Sequence, residues 1–183
     1  HLGEKSELIL NPDNVEIKEI GSVNNTVFSN LTVKKINELT ENDRNVAIRG
    51  AVVQVFEPRF YEMCSECNRK VVLDDGQYKC SVHGAVNLRY GIVSNFVLDD
   101  STNTIRIVAF REAAEKFFNL NNDELMEIRT NPGKFEEIKE NVFGKLVEVK
   151  GRVTKNAIFD RLELSANTIE DLKAEVLLKE LEG

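Results

Sequence analysis

The chain has 183 residues, with 24 Lys+Arg, 31 Asp+Glu, three Cys, two His, no Trp and a formal net charge of −7. At 42% apolar and 30% charged it is composed like one globular domain plus extensions, long enough to bury a sizeable core. No apolar run approaches the ~18 residues of a membrane span, and no secretory leader pattern opens the chain. Three cysteines cannot all pair within one chain, which argues against a disulfide scaffold and for a reducing compartment: the cytoplasm, with the nucleoid or the nucleus as its DNA-bearing equivalents.

The net charge alone argues against a nucleic-acid binder. Its distribution argues the other way. Residues 44–111 carry +2 and residues 145–161 carry +3, whereas 1–43, 112–144 and 162–183 carry −4 each. The acidity lies in the flanks and one middle segment, and a binding groove answers to the local potential.

Residues 1–30 are weakly patterned, with short strand candidates at Leu8–Leu10 and Val15–Ile20 around the turn signal Asn11-Pro12-Asp13. Thr32 to Leu39 leads into a β-branched run, Asn45–Phe56, whose central Gly50 fits a bulged or sharply coiled strand. A second run, Gly91–Leu98, meets a third, Thr104–Phe110, across Asp99–Asn103, which is a hairpin pattern. Arg111 to Asn119 reads as a helix with an apolar stripe of Ala113, Ala114, Phe117 and Phe118, and residues 123–141 hold further helical turns around Pro132-Gly133. A fourth run, Lys145–Val153, turns through Thr154-Lys155-Asn156 into a fifth, Ala157–Leu164; Glu170–Glu182 reads as an amphipathic helix with Leu172, Val176, Leu177 and Leu181 on one face. Three strands, a helix and two strands make an all-β-dominated fold, a five-stranded OB-fold barrel. Residues 1–30 then form an extension or the end of a preceding domain, 31–168 the barrel, and 169–183 a C-terminal helix.

Between the first and second barrel strands lie Cys64-Ser-Glu-Cys67 and, twelve residues on, Cys80-Ser-Val-His83. Two ligand pairs, each spaced by two residues and joined by a short hairpin, bring four donors around one tetrahedral Zn²⁺. A redox Cys-x-x-Cys lacks its βαβ context here and leaves Cys80 and His83 unexplained. A catalytic zinc keeps a position open for water. The expectation is one structural zinc in a ribbon inserted at 60–84.

Alternation places Ile105, Ile107 and Ala109 toward the core and Arg106, Val108 and Phe110 outward. On the fifth strand it places Ile158, Leu162 and Leu164 inward, with Phe159 and Arg161 outward. Outward rings beside outward arginines are the apparatus for single-stranded nucleic acid, where bases stack on rings and cations meet phosphates. Either ring alone also suits packing under a loop. Arg59, Phe60 and Tyr61 at the barrel–ribbon junction extend the groove or pack the ribbon onto the barrel, and both readings stand.

Ile105–Phe110 and the helix ending Lys116-Phe117-Phe118, together with a zinc ribbon after the first barrel strand, resemble the DNA-binding domains of the replication protein A family and its archaeal homologues over residues 31–168. The resemblance implies that Phe110 and Phe159 stack on bases, and that Arg106 and Lys155 are basic contact positions, with Arg111 and Arg161 beside them. It also implies that Cys64, Cys67, Cys80 and His83 are the ribbon ligands, histidine standing where all-cysteine sets also occur. The implied function is non-enzymatic binding of single-stranded DNA in replication, recombination and repair. The alternatives are a subunit-assembly domain that meets other OB-fold domains through the C-terminal helix, and an RNA-binding OB domain.

Overall fold

The structure is a computed structural model that describes residues 31–173 and 175, with Asn122 described by its backbone alone. In chain order it holds β1 (Thr32–Val33), a 3-10 turn (Ile36–Glu38), β2 (Val46–Val55), β3 (Arg59–Cys64), β4 (Val72–Asp74), β5 (Gln77–Cys80), β6 (Gly84–Ala85), β7 (Leu88–Asp99) and β8 (Thr104–Phe110). Helices α1 (Glu112–Phe118), α2 (Asn122–Thr130) and α3 (Lys134–Val142) follow, then β9 (Leu146–Asn156) and β10 (Arg161–Asp171).

Five of these strands close on themselves. β2 pairs antiparallel with both β7 and β9, β7 with β8, and β9 with β10. The ring is completed by a parallel pairing of β8 with β10, in register Glu163↔Arg106 and Leu164↔Ile107. Parallel neighbours cannot be joined by a tight turn, and the chain between them supplies α1, α2, α3 and β9. This is the expected OB-fold barrel.

Period-two alternation builds its interior. Ile48, Val52, Phe96, Leu98, Ile105, Ile107, Val147, Val149, Val153 and Leu164 are all buried. The stripe read on α1 packs into the same core, with the Phe117 ring stacked on Phe96 at 4.5 Å between centroids and Phe118 meeting Phe135 of α3 edge-on at 5.3 Å. Each fully buried Phe is worth roughly 1.5–3 kcal/mol relative to exposure, so α1 is held by its apolar face. Its own length, a mere seven residues, is too short for intrinsic stability. Gly50 sits where a Cβ would meet the Asp99 carbonyl oxygen at 2.4 Å, and Gly151 where one would meet the Ser165 carbonyl at 2.1 Å. Both are required by close strand approach; the bulge expected at Gly50 lies instead between Val52 and Gln54.

β3 continues β7 as an antiparallel ladder from Arg59↔Val93 to Cys64↔Leu88, and β4, β5 and β6 form a separate three-stranded sheet. The insertion between the first two barrel strands is therefore a ribbon mounted on a prolonged barrel hairpin.

Three expectations are corrected. The fifth barrel strand starts at Arg161, not at Ala157, because β9 runs on to Asn156 and residues 157–160 form the turn. Ile158 consequently points away from the core and is 87% exposed. The chain at 170–171 is strand: Thr168–Asp171 pair with Val147–Lys150 beyond a bulge, and that ladder satisfies the backbone where a helix start was expected. The rest of the expected helix lies outside the described residues apart from Leu172, Lys173 and Glu175, as do Leu8–Leu10 and Val15–Ile20.

The 3-10 turn is fastened to the β7–β8 loop by one carboxylate. Asp100 Oδ2 accepts from the Ile36 N–H at 2.8 Å, while Oδ1 accepts from the Thr102 N–H at 2.9 Å, the Thr102 hydroxyl at 2.6 Å and the Asn103 N–H at 3.2 Å. Burial disfavours this charge, but the hydroxyl and amide donors outweigh it and hold the carboxyl below its ordinary range. A folded value below the unfolded one contributes stability that is present above about pH 4 and lost as pH falls through the folded value. Asp100→Asn is predicted to destabilise the barrel at pH 7 and to narrow its gap to the parent at pH 3 in urea unfolding; a gap that stays constant with pH contradicts this.

Candidate nucleic-acid interface and metal centre

Cys64 ends β3, Cys67 follows in its turn, Cys80 ends β5 and His83 lies in the turn into β6. Their ligand atoms all lie within 4.8 Å of one another, so the four residues form a cluster that can hold one metal ion. Cys64 Sγ is 3.5 Å from His83 Nδ1, Cys80 Sγ is 3.8 Å from the same nitrogen, and Cys67 Sγ is 3.5 Å from Cys80 Sγ. The residue after each pair, Asn68 at φ 57° and Gly84 at φ 71°, is left-handed. Two equivalent tight turns thus face each other. The outer ring nitrogen of His83 lies 3.7 Å from the Glu66 carboxylate, inside the Cys64–Cys67 turn.

The backbone of these turns prepares the sulfurs for thiolate character. The N–H groups of Val82 and His83 bring Cys80 down to about 6. Burial opposes the Cys64 thiolate, yet the Cys67 and Glu66 amides and His83 bring its pKa below the ordinary thiol value. At Cys67 the Arg69 amide favours the thiolate, but burial and the neighbouring Cys80 and Cys64 sulfurs prevail and raise it. Three sulfurs crowd here, and the repulsion that would arise between them as thiolates is what a bound cation relieves.

A groove of 470 Å³ crosses the barrel, lined by the 3-10 turn, Gln54 and Phe56 at the end of β2, Thr104 and Arg106 of β8, and Arg161 and Leu162 of β10. Arg106 lies outward as expected, its guanidinium 4.2 Å from the centroid of the Phe56 ring. A cation–π contact of this kind orients the guanidinium without neutralising it, and among the described residues Arg106 makes no ion pair. Phe110, at the end of β8, is 45% exposed. Sequence alternation missed Phe56. A bulge between Val52 and Gln54 reverses the faces of the strand's last residues, turning Gln54 outward and keeping Val55 buried.

Phe159 belongs to the β9–β10 turn, not to a strand, and is 63% exposed. Asn156 Oδ1 accepts from the N–H groups of Ile158 and Phe159 at 3.1 and 3.3 Å, and Asp160 closes the turn at φ 46°. Arg161 stands 4.8 Å from the Phe159 ring centroid, and its Nε and Nη2 both reach Glu163 Oε1 at 3.1 Å. Lys155 pairs with Asp160 at 2.9 Å.

The remaining candidates divide. Arg59 is exposed at the start of β3, whereas Phe60 packs against the barrel core. Tyr61 covers Gly91 so closely that a Cβ there would meet its ring at 2.4 Å. Arg111 occupies the N-cap of α1 at φ 43° and reaches back to the Asn68 carbonyl at 3.5 Å, tying the helix start to the ribbon. Of the junction residues, Phe60 and Tyr61 therefore pack strand on strand.

The profile of the replication factor-A C-terminal domain family matches residues 46–179, nearly the whole of the barrel and ribbon. The chain belongs to this family. Among solved structures, a replication protein A heterotrimer bound to ssDNA contains a similar chain, with a TM-score of 0.69, 18% identity, and coverage of 83% of this chain and 39% of that one. Yeast RPA bound to ssDNA gives a TM-score of 0.64, 19% identity, and coverage of 81% and 95%. The chain thus spans well under half the length of the matched heterotrimer chain, and at these identities the likeness concerns the fold. A comparison with curated protein sequences finds no match. No helix among the described residues is long and apolar enough to cross a membrane. As a replication factor-A C-terminal barrel, the chain carries Cys64, Cys67, Cys80 and His83 in its ribbon, Arg106 and Arg161 in the groove, Lys155 and Phe159 next to Arg161, and Phe110 exposed at the end of β8.

Proposed function

We propose that the chain is a non-enzymatic single-stranded DNA-binding module acting in DNA replication and repair, where the genome is held in nucleoid or nucleus. The observation that carries the reading is the open groove: Arg106 and Arg161 line it, Phe159 stands exposed against Arg161, Lys155 lies beside the Arg161–Leu162 wall, and Phe110 stands exposed four residues along β8 from Arg106. Rings accept successive bases by stacking, worth about 1–3 kcal/mol per base, and cations follow the backbone. The relatives bound to ssDNA support the choice of nucleic acid, and the family's barrels support partners of the same OB-fold kind.

We further propose that the Cys64, Cys67, Cys80 and His83 cluster holds one structural Zn²⁺. Tetrahedral zinc with bonds of about 2.3 Å to sulfur and about 2.0–2.1 Å to nitrogen separates sulfurs by about 3.8 Å and sulfur from nitrogen by about 3.5 Å. The distances here, 3.5 Å between sulfurs and 3.5–3.8 Å from sulfur to nitrogen, suit that ion. Glu66 fits the role of the carboxylate that fixes the histidine ring. All four ligands come from the protein, so the ion's chemistry is cross-linking.

Titration of the chain with labelled single-stranded DNA, single-stranded RNA and duplex DNA at two salt concentrations tests the binding role. Salt-sensitive binding to single-stranded DNA, weaker to the others, is expected; equal affinity for RNA moves the assignment to RNA, and no binding contradicts it. Phe110→Ala and Phe159→Ala are each predicted to lose about 1–3 kcal/mol of binding, and wild-type affinity in either would falsify its stacking role. Chelation of the metal is predicted to abolish amide-exchange protection in residues 60–84, because the ribbon's own core is small; full protection in metal-free protein contradicts a structural ion.

A further inference from the structure

We propose that Glu163 is a positioning residue for the Phe159 platform and that Arg161 is committed to the same task, leaving Arg106 in the groove and Lys155 beside it as the phosphate-facing cations. This rests on the single-stranded DNA reading and assigns a division of labour within it. Glu163 lies on β10 with its side chain only 11% exposed. It governs the turn through two arms. In one, Glu163 Oε1 accepts from Asn156 Nδ2 at 3.1 Å, which orients that amide so that its oxygen accepts from the Ile158 and Phe159 N–H groups. In the other, the same oxygen accepts from Arg161, whose guanidinium lies against the Phe159 ring. Backbone and ring of Phe159 are thereby both held from one covered carboxylate.

The covering decides which cations remain available to a phosphate. Arg161 faces a carboxylate shielded from water, so leaving it would strand a buried charge. Lys155 faces Asp160, whose side chain is 82% exposed; an ion pair in that setting is worth little, and a phosphate can replace it. Arg106 rests on Phe56 and carries no carboxylate among the described residues. Pre-ordering a turn that would otherwise lose freedom on binding improves affinity without any added interaction. That matters for a chain whose net charge is −7.

The test measures binding of labelled oligothymidylate by the full chain across a salt series. Removing one cation that meets a phosphate should reduce the slope of log K against log salt by about 0.7. Arg106→Gln and Lys155→Gln are expected to do so. The charge-neutral pair of substitutions Arg161→Gln with Glu163→Gln is expected to weaken binding several-fold with an unchanged slope. Glu163→Leu should weaken binding about as much as Phe159→Ala, roughly 5- to 150-fold, and the two together should weaken it little more than either alone. Glu163→Gln by itself keeps an acceptor for the turn but removes the buried charge that commits Arg161, so affinity should not fall and the salt slope should steepen by up to about 0.7. A slope that falls for the Arg161/Glu163 pair, or effects of Glu163→Leu and Phe159→Ala that multiply, overturns the proposal while leaving DNA binding intact. Circular dichroism on each variant separates these outcomes from unfolding, and if the parent chain ignores oligothymidylate, the DNA reading itself fails.

Discussion

The parallel ladder between β8 and β10 is the constraint on which the rest of this molecule depends. It closes the barrel, and it sets Leu164 beside Ile107 inside and Glu163 beside Arg106 outside. A parallel pairing demands a long connection, so the same ladder explains why three helices interrupt the strands. One of them, α1, then seals the core with Phe117 and Phe118. The open face inherits its composition from this register: the outward residues of β8 bring Arg106 and Phe110, and those of β10 bring Arg161 and Glu163. Neither set alone makes a groove.

The register also resolves the charge paradox. No residue of α1, α2 or α3 lines the groove, and two of the acidic side chains of α2 and α3 pair locally, Glu127 with Lys134 and Glu136 with Lys139. At physiological salt, charges beyond about 8 Å are largely screened. On the proposed reading a ligand in the groove meets Arg106, with Lys155 beside the adjoining Arg161–Leu162 wall, and not the average of the chain. The acidity that remains favours a binding mode in which stacking carries much of the affinity, which in turn raises the value of rings held in place before the ligand arrives.

Much of this was legible in the sequence, for physical reasons that differ by element. The ribbon reads well because two-residue ligand spacing is local chemistry; Cys64, Cys67, Cys80 and His83 meet as their spacing implies. Strands β7, β8 and β9 read well because their alternation follows a half-buried sheet. Phe56 escaped because a bulge after Val52 reverses the alternation, and Ile158 was misplaced because a four-residue turn, closed by the left-handed Asp160, looks like β-branched strand. The role argued for Glu163 has no local signature at all. It comes from a cross-strand pair with Asn156 and a neighbour on its own strand, which only the register brings together.

Single-stranded DNA is proposed to lie on the face shared by β2, β8, β10 and the β9–β10 turn, and everything said of the rings and cations follows from that placement. Backbone amide shifts of isotope-labelled chain, followed as oligothymidylate is added, test it directly. The largest shifts are expected at Phe56, Arg106, Phe110, Lys155 and Phe159, with the ribbon ligands and α2 little changed. Shifts confined to the ribbon or to α2 and α3, or none at saturating DNA, would contradict it.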